Sequence, residues 1–185
     1  MAEAPDGWAK YLAGLLGATE SRATPVELPE AKRTIQILTL LRMEQRWPGP
    51  PPERFRSVPN KPTLQFNDQP TWAEFILLRL LERDGWAGAW VKNWGGRAFW
   101  RDVEDVAILS ASAAERFQQI EKRMGGRGGG CWDIFAARGD KVLFIESKQR
   151  GRDRLRLTQR KWIESALREG IPLPSFVIVE WLVDN

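Results

Sequence analysis

"GCWDIFAARGDKVLFIESKQR", Gly130 to Arg150, decides how this chain folds. Gly139-Asp140 is a two-residue turn of the kind that opens on glycine, and apolar runs lie on either side. That pattern predicts a β-hairpin. Pairing Arg138 with Lys141 across the turn carries the register back until Asp133 stands opposite Glu146. Directly opposed residues have Cβ atoms roughly 4.5–5.5 Å apart. Side chains alternate along a strand, so Glu146 and Lys148 share a face, Asp133 joins them, and Val142 and Phe144 continue that face toward the turn. Leu143, Ile145 and Ser147 form the other. "VLFIE" is apolar on both faces, which predicts a strand covered on both sides.

Two carboxylates opposed across a ladder repel each other. Lys148 offsets one charge, and a divalent cation between the carboxylates offsets both and suits oxygen ligands. The spacing therefore suggests a magnesium site with a lysine beside it, suited to stabilising charge on a phosphate. The plainer reading is a surface cross-strand pair of Glu146 and Lys148. The buried character of the strand weighs against it. So does the basic run that follows at once: seven basic residues from Lys148 to Lys161 against one acid, Asp153.

Composition removes whole classes of chemistry. The 185 residues contain no histidine, which excludes Ser-His-Asp and Cys-His nucleophiles and histidine-ligated zinc. Carboxylates, lysines and a hard cation remain. The single cysteine, Cys131, excludes an internal disulfide framework and points to a reducing, cytoplasmic compartment. Met1–Gly17 lacks the basic start and long apolar stretch of a secretory leader. No apolar run approaches the roughly 20 residues of a membrane span. The net charge of +4 permits a polyanionic partner.

Along the chain, residues 5–17 read as a short amphipathic helix with Trp8, Leu12, Leu15 and Leu16 on its apolar side. Pro29 suits the first turn of a longer helix carrying Ile35, Leu38, Leu41 and Met43, ending before Pro48. The proline-rich stretch from Pro48 to Pro62 reads as a stiff connector. Residues 1–62 are thus expected to be a helical extension with its linker, and 63–185 the core. In the core, Thr71 and Glu74 have capping-box spacing at the head of a helix to about Arg83, stopped by Gly85. Residues 86–109 read as one or two strands broken at Gly95-Gly96, and 112–124 as a helix. "GGRGGG", 125–130, lacks the context and the Lys-Ser/Thr of a phosphate-binding P-loop and reads as a flexible loop near the site. A helix from about Thr158 to Glu169 is closed by Gly170, and "SFVIVEWLV" is a final buried strand.

With Gly130, Asp133, "VLFIESK", the basic "GRDRLR" and "LTQRKW" in place, the sequence resembles the PD-(D/E)XK nuclease superfamily, closest to its VRR-NUC and Holliday-junction-resolvase-like branch. The resemblance covers about Thr71 to Trp181 and is strongest from Gly130 to Trp162; Trp132 stands where the family has proline. It implies an α/β, restriction-endonuclease-like core, a mixed sheet flanked by helices. It implies Asp133 and Glu146 as Mg²⁺ ligands (Mn²⁺ substituting), with the Ser147 carbonyl as a further ligand. Lys148 would stand by the attacking water and Gln159 would touch water or phosphate. Glu74 matches the acidic residue that the family often carries on its first core helix; the capping role with Thr71 is its alternative, and Glu82 is a weaker candidate.

The expected activity is metal-dependent hydrolysis of DNA phosphodiesters, on structured or branched DNA among other forms. Arg150, Arg152, Arg154, Arg156, Arg160 and Lys161 are the expected phosphate contacts. Trp90, Trp94 and Trp100 are candidates to stack on bases. A homodimer would suit cutting of two strands. A non-cleaving nucleic-acid-binding module of the same fold, and an RNA-cleaving nuclease, are the alternatives.

Overall fold

The structure is a computed structural model and describes residues 6–58, 61–92, 98–126, 130–151 and 154–184. Trp94, Gly95, Gly96, Arg152 and the middle of the "GGRGGG" loop lie outside these. Its elements run α1 (Asp6–Leu15), β1 (Glu20–Leu28), β2 (Arg33–Arg46), β3 (Leu64–Phe66), β4 (Gln69–Thr71), α2 (Ala73–Arg83), β5 (Ala87–Lys92), β6 (Ala98–Asp102), β7 (Asp105–Val106), α3 (Ala111–Arg123), β8 (Ile134–Arg138), β9 (Lys141–Gln149), α4 (Leu157–Arg168) and β10 (Phe176–Asp184). The fold is mixed α/β: one large mixed sheet flanked by four helices, counted among the described residues. No described helix is long and apolar enough to cross a membrane.

The β8–β9 hairpin forms in the expected register, with Arg138 opposite Lys141 and Ile134 opposite Ile145. Gly139 takes a positive φ of 56°, the conformation a turn opening on glycine requires. Strand order is β4-β3-β2-β10-β9-β8-β5-β6-β7, with β1 paired to β2. The three central strands β2, β10 and β9 are parallel. β9 and β10 are buried on both faces along most of their length, as parallel strands are. Val142 and Phe144 pack with Phe117, Trp162 and Ile163 of α3 and α4. Leu143 and Ile145 pack on the opposite face with Leu12 and Leu16 at the end of α1 and Leu77, Leu78 and Leu81 of α2. The two faces of the hairpin are therefore divided as its alternation requires.

The helix expected after Pro29 is not one. Residues 20–46 are the β1–β2 hairpin, and β2 pairs in parallel with β10, Leu38 beside Val177. The segment expected as a helical extension therefore supplies two strands of the sheet. Its exposure alternates from Arg33 to Thr39, with Ile35, Ile37 and Thr39 buried, both faces are covered from Thr39 to Arg42, and exposure returns at Met43. β-Branched Thr34, Ile35, Ile37 and Thr39 favour that extended state. The turn is pinned from a distance: buried Glu164 of α4 accepts the backbone N–H of Glu30 at 3.0 Å and of Ala31 at 2.5 Å. The expected helix at the N-terminus does form, as α1. Past the proline run, Phe55 buries its ring edge-on against Trp72 at 5.5 Å.

Candidate active site

The start of β8 is set by the loop before it. Gly130 has φ 102°, and a Cβ there would lie 2.6 Å from the Thr158 carbonyl oxygen. Only glycine lets the chain pass that close to the first turn of α4. Trp132, fully buried, donates its indole N–H to the Gln159 carbonyl at 3.3 Å. These two contacts fix Asp133 against the head of α4.

Asp133 and Glu146 meet at the open end of the hairpin and exchange side-chain to backbone hydrogen bonds. The Asp133 N–H donates to Glu146 Oε2 at 3.3 Å, and the Ser147 N–H donates to Asp133 Oδ2 at 3.0 Å. Lys148 Nζ lies 2.7 Å from Glu146 Oε1. Gln159 Nε2 donates to the same oxygen at 2.6 Å, while its Oε1 accepts the Arg156 N–H at 2.9 Å. The back-bond to the start of α4 decides which way the amide points. Gln159 therefore braces Glu146 directly.

The electrostatics follow from crowding. Asp133 reaches solvent at one edge, yet the protein packed around it pushes its carboxyl well above the usual range, and the charges of Glu146 and then Glu74 push it further. Lys61 and Lys148 pull it back. Burial also raises Glu146, opposed by the Lys148 charge, by the Lys148 and Gln159 hydrogen bonds, and by a hydrogen bond with Asp133. Two carboxyls this close resist both being ionised, and the arrangement calls for added positive charge.

Glu74 does not cap its helix. Trp72 is the N-cap of α2, with no side-chain cap bond, because the helix starts at Ala73 and leaves Thr71 in β4. The Glu74 carboxylate instead pairs with Lys61 at 2.9 Å, and its Oε2 is buried without a partner among the described residues. Lys61 is the residue that sequence reasoning missed. Its ammonium also lies 4.8 Å from the Trp72 ring and 4.7 Å from the Trp90 ring. Only its place near the end of the proline-rich stretch, three residues before β3, could have drawn notice.

Other expected residues lie elsewhere. Glu82 bridges Arg79 and Arg101, both at 2.7 Å, and is not at the site. Trp90 is buried in the core against Phe75 and cannot stack on a base. Of the basic run, Arg154 and Arg156 are exposed. Lys161 is partly exposed, and Arg160 turns toward the Glu27 carbonyl at 3.4 Å. Arg150 lies 3.9 Å from both Glu20 and Glu180. Because Glu180 sits beside Lys148 in the β9–β10 register, that ion pair flanks the site.

Among the described residues, no three acidic or cysteine side chains converge as a ready-made metal cage. The centre is a carboxylate pair, with Glu74 tied to Lys61 beside it. Comparison with protein-family models, with curated proteins and with solved structures finds no match to this chain.

Proposed function

We propose that this chain is a divalent-metal-dependent nuclease of restriction-endonuclease-like architecture, hydrolysing DNA phosphodiester bonds with Mg²⁺ or Mn²⁺. The observation that carries the reading is the meeting of Asp133, Glu146 and Lys148 at one end of a buried hairpin, with Gln159 bracing Glu146. The residues fit a hard cation. The donors are all oxygen, burial pushes the carboxyls of Asp133 and Glu146 upward, and Glu74 keeps a buried oxygen unpartnered among the described residues. Asp133 and Glu146 would hold the ion, with the Ser147 main chain beside them. The chemistry such an ion supplies is Lewis acidity toward a phosphate and a lowered pKa for water.

The chain's own residues divide the remaining work. Lys148 presents a fixed positive charge at the carboxylate pair, where it can hold a water or neutralise a phosphate oxygen. Gln159 keeps Glu146 in one orientation, the kind of outer support on which ligand geometry depends. Exposed Arg154 and Arg156, at the approach to α4, offer sequence-independent phosphate contacts.

One observation favours a second reading, a binding module that does not cut. Both oxygens of Glu146 are already hydrogen-bonded within the protein. The two readings separate on incubation of the protein with plasmid, single-stranded DNA, branched DNA and RNA, with Mg²⁺, Mn²⁺ or chelator. The nuclease reading expects metal-dependent cleavage of a DNA. Binding to DNA without cleavage under every metal condition would overturn it in favour of the module.

A further inference from the structure

The ion pair of Lys61 with Glu74 has an arrangement that packing alone does not require. Both side chains are largely enclosed, 19% and 9% exposed, yet only one Glu74 oxygen is used; the other is buried and unpartnered among the described residues. The Lys61 ammonium also lies against two indoles, Trp72 and Trp90, at 4.8 and 4.7 Å. Indole faces attract a cation independently of any carboxylate. Lys61 can therefore leave Glu74 without losing every stabilising contact. The ammonium also lies near the centre, since Trp90, whose ring it touches, pairs with Ile134, and the Val91 N–H donates to the Asp133 carbonyl at 2.7 Å.

We infer that Lys61 is a positioning residue that supplies the positive charge at Glu74 while the site holds no dication, so that a divalent cation must compete with it. The inference rests on the metal-binding part of the proposed function and not on cleavage. Charge counting supports it. Lys61 and Glu74 cancel each other's charge beside the Asp133–Glu146 pair. Without Lys61 the surroundings of that pair would be one charge more negative, which favours a dication. A lysine with a purely structural role would, on removal, loosen the site and weaken metal binding. A competing lysine would, on removal, strengthen it.

The test is Mn²⁺ affinity by calorimetry for the wild-type protein, Lys61→Met and Lys61→Gln, with thermal unfolding of each with and without Mn²⁺. The glutamine variant keeps a donor for Glu74 without the charge, so it covers the case in which Lys61→Met fails to fold. The expected result is Mn²⁺ binding about tenfold tighter in the variants. Their metal-free unfolding temperature should be lower, and Mn²⁺ should raise it more than it raises that of the wild type. Unchanged or weaker Mn²⁺ affinity in the folded variants overturns the inference, while no Mn²⁺ uptake by any of the three proteins overturns it together with the metal-binding reading beneath it. Tightened binding in a protein that cuts no nucleic acid would sink the nuclease reading and leave the role of Lys61 standing.

Discussion

At the scale of single residues, the site is a set of side chains each held by identifiable neighbours. Gln159 illustrates this: its amide oxygen is used by the start of α4, so its N–H₂ can only face Glu146. Gln159→Leu should lower cleavage about 10–100-fold while leaving the unfolding temperature within a few degrees. Cleavage rates measured beside a melting curve check it. Gly130 is the second case. Gly130→Ala would put a methyl group against the Thr158 backbone at a positive φ, and a loss of roughly 2–4 kcal/mol in denaturant unfolding is expected. What was legible in the sequence at this scale was the carboxylate pair, because turn chemistry and a period of two fix which residues oppose each other. Lys61 was not legible: it meets Glu74 only through the packing of Trp72 and Trp90, and no local pattern encodes that.

Among the elements, β2 shows where periodicity misleads. Ile35, Leu38 and Leu41 follow a helical spacing, and Pro29 resembles a helix start. A strand covered on both faces also loses its alternation, so the two states cannot be told apart by pattern alone. Partners decide it, and β10 provides them along eight residues. Removing residues 1–49 would strip β10 of that neighbour. Such a truncation is expected to lose its cooperative unfolding transition by circular dichroism, rather than yield a stable smaller domain. The N-terminal helix is docked differently. Tyr11 of α1 donates to Asp84, which also pairs with Arg138 of the hairpin, and Trp8 donates to the Pro174 carbonyl at 2.9 Å. The Tyr11 hydrogen bond, helped by Arg138, holds the Asp84 carboxyl below its ordinary range. A depressed folded pKa stabilises the fold above the unfolded value, and that contribution disappears as pH falls through the folded value. Asp84→Asn should therefore flatten the acid limb of a stability-against-pH curve, measured by urea unfolding at stepped pH. An acid limb identical to that of the wild type would rule this docking role out.

For the molecule as a whole, the β8–β9 hairpin carries a cluster of charge to one end of a largely apolar core. Glu146 and Lys148 lie near the end of β9 and Asp133 just before β8, Glu74 of α2 pairs with Lys61, and the exposed arginines of the approach to α4 follow β9 along the chain. Turn signals, helix stops and apolar runs accounted for the hairpin, α2, α3, α4 and the final strand, because each buries its own apolar side chains. It could not reveal that the N-terminal hairpin completes the sheet. A charged centre of this kind, enclosed by a stable core, is costly unless it is used. The use proposed is metal-dependent phosphodiester hydrolysis. Its most direct test is single-turnover cleavage of a DNA substrate in Mg²⁺ by the wild type and by Lys148→Met. DNA binding and unfolding temperature are measured on the same samples. The account predicts a loss of at least about a thousandfold in rate, with binding and folding retained. Cleavage by Lys148→Met at the wild-type rate would contradict it.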